Sequence, residues 1–110
     1  MQEKIRGGIL GLAVADALGV PVEFKSRESL LKSPVTDMFG HGTYNQPEGT
    51  WSDDTSMILC LVDSLSNDGL DYKKIMDKFA GWLKYGDYTP YQEVFDIGNA
   101  TKQAVVNYIQ

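Results

Sequence analysis

In 110 residues there is one cysteine, Cys60, and one histidine, His41. A single cysteine excludes an internal disulfide framework. It fits a reducing, cytoplasmic setting, and no His/Cys cluster is present to hold zinc. Basic residues are few: 10 Lys and Arg stand against 15 Asp and Glu, a net charge of −5. Such a chain lacks the basic face of a general phosphate-backbone binder, so nucleic acid is not an expected partner. No stretch of about 18 uncharged apolar residues occurs, which argues against a membrane span. Lys4 and Arg6 before an apolar run, with Ala15-Asp16-Ala17 after it, have the outline of a secretory signal. Glu3 and the interrupting Gly7, Gly8 and Gly11 count against one. Repeats, low-complexity tracts and charge runs are also missing, and the length supports a single domain over 1–110.

What the sequence does have is helical periodicity. Residues 4–18 form a helix that is apolar nearly all round, through Ile5, Ile9, Leu10, Leu12, Val14 and Leu18. That pattern is usual for a core helix. Its glycines lower helix propensity but permit close packing by a neighbour. Gly19 and Pro21 stop it. Residues 33–50, rich in Gly, Pro, Thr and Asn, read as a long loop, and ordered loops of that length are often functional. Ser52 has the position of an N-cap, with Asp53 and Asp54 in the first turn. Met57, Ile58, Leu61, Val62 and Leu65 form the stripe behind them, and Asn67-Asp68-Gly69 ends the helix. Asp71 caps the next, with the stripe Ile75, Met76, Phe79, Trp82 and Leu83. A final helix starts near Asn99. No segment alternates over strand length, so the class is all-α. The wide stripes and the uncapped last helix read as a truncated chain.

Chemistry concentrates at Thr50-Trp51-Ser52-Asp53-Asp54-Thr55. Two carboxylates at a helix start gain from the dipole and from free backbone N–H groups, which alone accounts for capping acids. The hydroxyls of Thr50 and Thr55 and the Gly-rich approach favour a divalent-metal motif instead. Adjacent helical positions diverge by about 100°, so Asp53 and Asp54 are better placed to serve two neighbouring ions than to chelate one. Hard oxygen donors suit Mg²⁺ or Mn²⁺.

Three segments carry a family resemblance. Arg6-Gly7-Gly8-Ile9-Leu10-Gly11-Leu12-Ala13-Val14-Ala15-Asp16-Ala17-Leu18-Gly19-Val20-Pro21-Val22-Glu23-Phe24 resembles the opening of the ADP-ribosylglycohydrolases, the family of the dinitrogenase reductase-activating glycohydrolase. Gly49-Thr50-Trp51-Ser52-Asp53-Asp54-Thr55-Ser56-Met57 resembles its first metal motif. Phe95-Asp96-Ile97-Gly98-Asn99-Ala100-Thr101 resembles a third segment, and the order is the family's. The resemblance implies an orthogonal all-α fold with a binuclear Mg²⁺ or Mn²⁺ site. It also implies hydrolysis of the glycosidic bond between ADP-ribose and a protein side chain or small acceptor. By the same carry-over Thr50, Asp53 and Asp54 are metal ligands, Glu23 is an acid/base group, and Asp96 lies near the substrate ribose.

Each residue also has a plainer reading. Glu23 after Pro21 can be a solvated loop acid, and Asp96 can cap the last helix. Trp51 reads as a packing anchor, His41 as exposed, and Cys60 as a buried packing residue. Tyr85, Tyr88 and Tyr91 line a cleft or the surface. The sequon Asn99-Ala100-Thr101 has no meaning without secretion, and the calcium-loop spacing from Ser64 fails because its twelfth position is Ile75.

The sequence also departs from the family, whose members are longer and carry a second Asp-x-Asp-Thr motif and a Gly-Asn-Gly-type loop. Neither occurs here. Three expectations follow: a glycohydrolase acting on an ADP-ribosylated protein or small molecule, an inactive ADP-ribose-binding module, or an interaction protein that dimerises through its helical stripes. The first calls for a complementing C-terminal half or a homo-oligomer.

Overall fold

The computed structural model describes residues 1–110. It has five helices: α1 (Gln2–Gly19), α2 (Arg27–Lys32), α3 (Asp53–Asp68), α4 (Tyr72–Tyr85) and α5 (Asn99–Ile109). Short 3₁₀ turns occupy Val20–Val22 and Gly42–Tyr44. The only strand-like pairing is an isolated antiparallel bridge between His41 and Gln46, so the chain is all-α. It divides into two compact units, Met1–Trp51 and Ser52–Gln110.

In the first unit, α1 runs straight into the Val20–Val22 turn, which carries Pro21 inside it. Buried residues cluster at that junction, Ala17, Val20 and Pro21, with Gln46 and Thr50 buried in the long loop. Along the rest of α1 the expected core packing is absent: Ile5, Leu10 and Val14 are each at least half exposed. Nothing stands within 4 Å of where a side chain would begin at Gly7, Gly8 or Gly11. An all-round apolar helix needs neighbours on several sides, and only the turn that follows α1 packs on it here. By length and composition alone Gln2–Val22 matches a membrane span, a test that core helices of soluble proteins and signal sequences also pass. The short α2 is a further element, unmarked by any apolar stripe. Ser26 caps it by accepting from the Ser29 N–H at 3.1 Å.

The second unit is a three-helix stack in which α4 packs against both α3 and α5. The face of α3 that is fully buried is not the aliphatic stripe. It is the small-residue row Ser56, Cys60 and Ser64, spaced four apart and at most 1% exposed, which lets a neighbouring backbone approach closely. Cys60 Sγ–H reaches the Lys78 carbonyl on α4 at 3.7 Å. The aliphatic residues Met57, Ile58, Leu61 and Val62 are only half-buried and Leu65 is exposed. On α4 the pattern holds better, with Ile75 and Trp82 buried and Met76, Phe79 and Leu83 half-buried. Asp71 caps α4 through its carboxylate, accepting from Lys74 N–H at 3.1 Å, a cap worth about 1 kcal/mol. Gly69 and Gly86 close α3 and α4, their N–H groups donating to the carbonyls of Leu65 and Trp82.

Candidate functional site

Glu23 sits where the Val20–Val22 turn opens into extended backbone, at φ −56° and ψ 141°, and is half-buried. The next residue, Phe24, has φ 67°, a left-handed conformation that costs a non-glycine residue about 1–2 kcal/mol. A reversal of that kind persists only when its surroundings hold it. Lys25 N–H closes this turn by donating to the Val22 carbonyl at 3.0 Å, and the long loop adds a second hold. Thr43 Oγ1–H donates to the Glu23 carbonyl at 2.7 Å, with the Pro21 carbonyl at 3.2 Å. The loop that carries Glu23 is thus tied through its backbone carbonyl.

Thr50 closes the same loop and is 3% exposed. Its N–H and its hydroxyl both donate to the Pro47 carbonyl, at 3.2 and 2.6 Å. The hydroxyl proton is thus committed to protein, which leaves the oxygen lone pairs as acceptors for a cation.

In the second unit, Asp53 and Asp54 occupy the first turn of α3, half-buried and exposed respectively. Ser52 holds the N-cap position, but its hydroxyl makes no capping bond to the helix. Its carbonyl begins the helical ladder instead, accepting from Ser56 N–H at 3.2 Å. The start of α3 therefore relies on the dipole and its acids more than on a serine cap.

Asp96 lies in the loop between α4 and α5 with φ 59°, half-buried. The N-cap position of α5 is Gly98, two residues beyond Asp96. Two other residues of this loop, Tyr88 and Gln92, also have positive φ. Tyr88 is tied to α3 twice: its carbonyl accepts from Ser56 Oγ–H at 2.9 Å, and its hydroxyl donates to the Asp63 carboxylate. Asp63 also receives Lys78 Nζ at 3.4 Å and Asn67 Nδ2 at 2.6 Å. The Tyr88 hydroxyl is the main reason that the Asp63 carboxyl lies below the usual carboxylate range. Burial, then the bond to Asp63, pushes the Tyr88 phenol up.

Sequence reasoning missed Thr43, Ser56 and Asp63, and left Tyr88 undecided. Only Thr43 carried a signal, from its place beside Gly42 in the long loop. His41 is exposed as expected, with Nδ1 2.9 Å from Asn45 Oδ1. Cys60 is buried as expected, and burial pushes its thiol up to about 12.

The donor chemistry of Thr50, Asp53 and Asp54 is all hard oxygen and fits Mg²⁺ or Mn²⁺. No group of three or more His, Cys, Asp or Glu side chains converges as a metal cluster.

Comparison with known proteins agrees with the segments described. Over 109 residues the chain is 38% identical to the ADP-ribosylarginine hydrolase Tri1 of Serratia proteamaculans (strain 568), covering 98% of this chain and 29% of that protein. It is 34% identical to the ADP-ribosyl-[dinitrogen reductase] glycohydrolase of Rhodospirillum rubrum, covering 99% of this chain and 36% of the relative. A solved ADP-ribosylglycohydrolase-related protein complex superposes with a TM-score of 0.75 at 38% identity, over 94% of this chain and 31% of that one. The chain thus spans about a third of the length of the relatives it matches. The ADP-ribosylglycohydrolase family model matches residues 1–110 throughout, and the chain belongs to that family.

Proposed function

We propose that this chain supplies the Glu23, Thr50, Asp53, Asp54 and Asp96 portion of a glycohydrolase that cleaves ADP-ribose from a protein side chain. Arginine is the acceptor in the name of one relative and dinitrogen reductase the target in that of another. The observation that carries the reading is the pairing of Asp53 and Asp54 in the first turn of α3, shortly after a threonine whose hydroxyl proton is already engaged.

A bound Mg²⁺ or Mn²⁺ supplies Lewis-acid charge and a template for ribose hydroxyls. Thr50, Asp53 and Asp54 would hold the metal through hard oxygen donors. Glycosidic cleavage develops oxocarbenium character, which nearby carboxylates stabilise. Glu23 exchanges a proton with the attacking water or the leaving group, and Asp96 orients the ribose.

The test is release of ADP-ribose from an ADP-ribosylated arginine peptide in Mn²⁺ or Mg²⁺, with molar mass followed by light scattering. Metal-dependent release supports the reading. Metal-dependent binding of ADP-ribose without release identifies a binding module instead. Neither release nor binding by a folded oligomer leaves an interaction protein.

A further inference from the structure

The long loop meets the Glu23 segment at three successive points. At the first, Gly42 has φ 59°, and a Cβ there would overlap the Pro21 carbonyl and come 2.7 Å from Pro21 Cα. Backbone thus lies directly on backbone, which only glycine permits. At the second, Thr43 Oγ1–H donates to the Glu23 carbonyl at 2.7 Å, with the longer 3.2 Å approach to Pro21 as its alternative acceptor. At the third, the rings of Phe24 and Tyr44 stand 6.4 Å apart, tilted by 58°. The two strings run alongside each other in the same order, 21 against 42, 23 against 43 and 24 against 44, with Val22 passed over between the first two.

This register brackets one carboxylate. The Glu23 carbonyl is the atom whose direction is set by the ψ of Glu23, and the following residue is already in the disfavoured left-handed region. The Thr43 donor adds to the Lys25 N–H bond to the Val22 carbonyl at 3.0 Å, which closes the turn through Glu23 and Phe24, and losing it removes one restraint on the backbone that carries the Glu23 side chain.

We propose that Thr43 is a positioning residue for Glu23: its hydroxyl fixes the backbone from which the acid/base carboxylate projects, while Gly42 provides the close approach. The proposal rests on the assignment of Glu23 as the acid/base group. Proton transfer is sensitive to displacements of about 1 Å, so the clamp is expected to act on turnover more than on substrate binding.

The test compares the native chain with Thr43→Val and Thr43→Ser, reading ¹⁵N relaxation at residues 22–25 and ADP-ribose release from the arginine peptide. Native and Thr43→Ser chains should show a rigid Glu23 amide. Thr43→Val should show a mobile one, with kcat reduced about 10-fold or more, KM nearly unchanged, and both restored by serine. An equally rigid Glu23 in Thr43→Val would overturn the clamp. Loss of order with unchanged kcat would overturn its link to catalysis. If the native chain releases no ADP-ribose, the proposed function fails, and the relaxation data still decide the clamp. Should Thr43→Val not fold, Gly42→Ala tests the same register, and an unchanged Glu23 amide in it overturns the proposal.

Discussion

Ser56, one turn into α3, donates its hydroxyl to the backbone carbonyl of Tyr88 at 2.9 Å, while Asp63 two turns further along accepts from the hydroxyl of the same tyrosine. Tyr88 is therefore laid along α3, held at both its main chain and its side-chain tip. Its φ of 63° is the cost of that arrangement. The loop that leads to Asp96 thus starts from a fixed point on the helix that begins with Asp53 and Asp54.

Tyr88→Phe should loosen this anchorage in a pH-dependent way. The folded Asp63 carboxyl is held below its ordinary value. Its contribution is therefore complete above about pH 4 and is lost as pH falls through the depressed value. The Tyr88 phenol is raised, so its contribution is complete below about pH 10 and is lost as pH rises through the raised value. Urea titrations should show a stability gap between native and variant that is flat across neutral pH and closes towards both extremes. A gap that does not narrow in acid would contradict the coupling.

Asp53→Ala and Asp54→Ala should each weaken Mn²⁺ binding by about 10²-fold or more, the loss expected at minimum for a direct ligand. Isothermal titration measures it. Because the two directions diverge, each variant should retain one of two weak binding events. Both events vanishing together in a single variant would mean a shared ion.

Gly86→Ala should destabilise the second unit by at least about 1–3 kcal/mol. Gly86 has φ 71°, and an added Cβ would collide with Gln92 backbone, whose Cα would lie at 2.7 Å. Denaturant unfolding followed by helical circular dichroism reads the loss, and a shift within error would refute the close approach.

Cys60 should resist alkylation by iodoacetamide at about pH 8 in the native state and react on addition of denaturant. Its thiol is fully buried and pushed up to about 12. Mass spectrometry of the quenched reaction shows which state was modified, and fast native labelling would overturn the burial.

Much of the fold was legible because it is local. The end of α1 near Gly19 and Pro21, the cap at Asp71, the stop at Gly69 and the start of α5 at Asn99 all follow from residue types within one helical turn of each boundary. The motif segments were legible for the same reason. The buried row Ser56, Cys60 and Ser64 was not, since hydrophobicity points to the aliphatic residues beside it. Close helix approach selects small side chains instead, a preference that appears only once α4 is in place.

By itself, then, the sequence determined four of the five helices, their punctuation and the family to which Glu23, Asp53, Asp54 and Asp96 belong. Tertiary structure decided the ties at Glu23 and in the loop that leads to Asp96. Thr43 and Glu23 are 20 residues apart and Tyr88 and Asp63 are 25 apart, and no pattern within a helical period links such pairs. Hydrogen bonds over those separations form only after the chain has folded back, which is why they belong to the structure and not to the pattern.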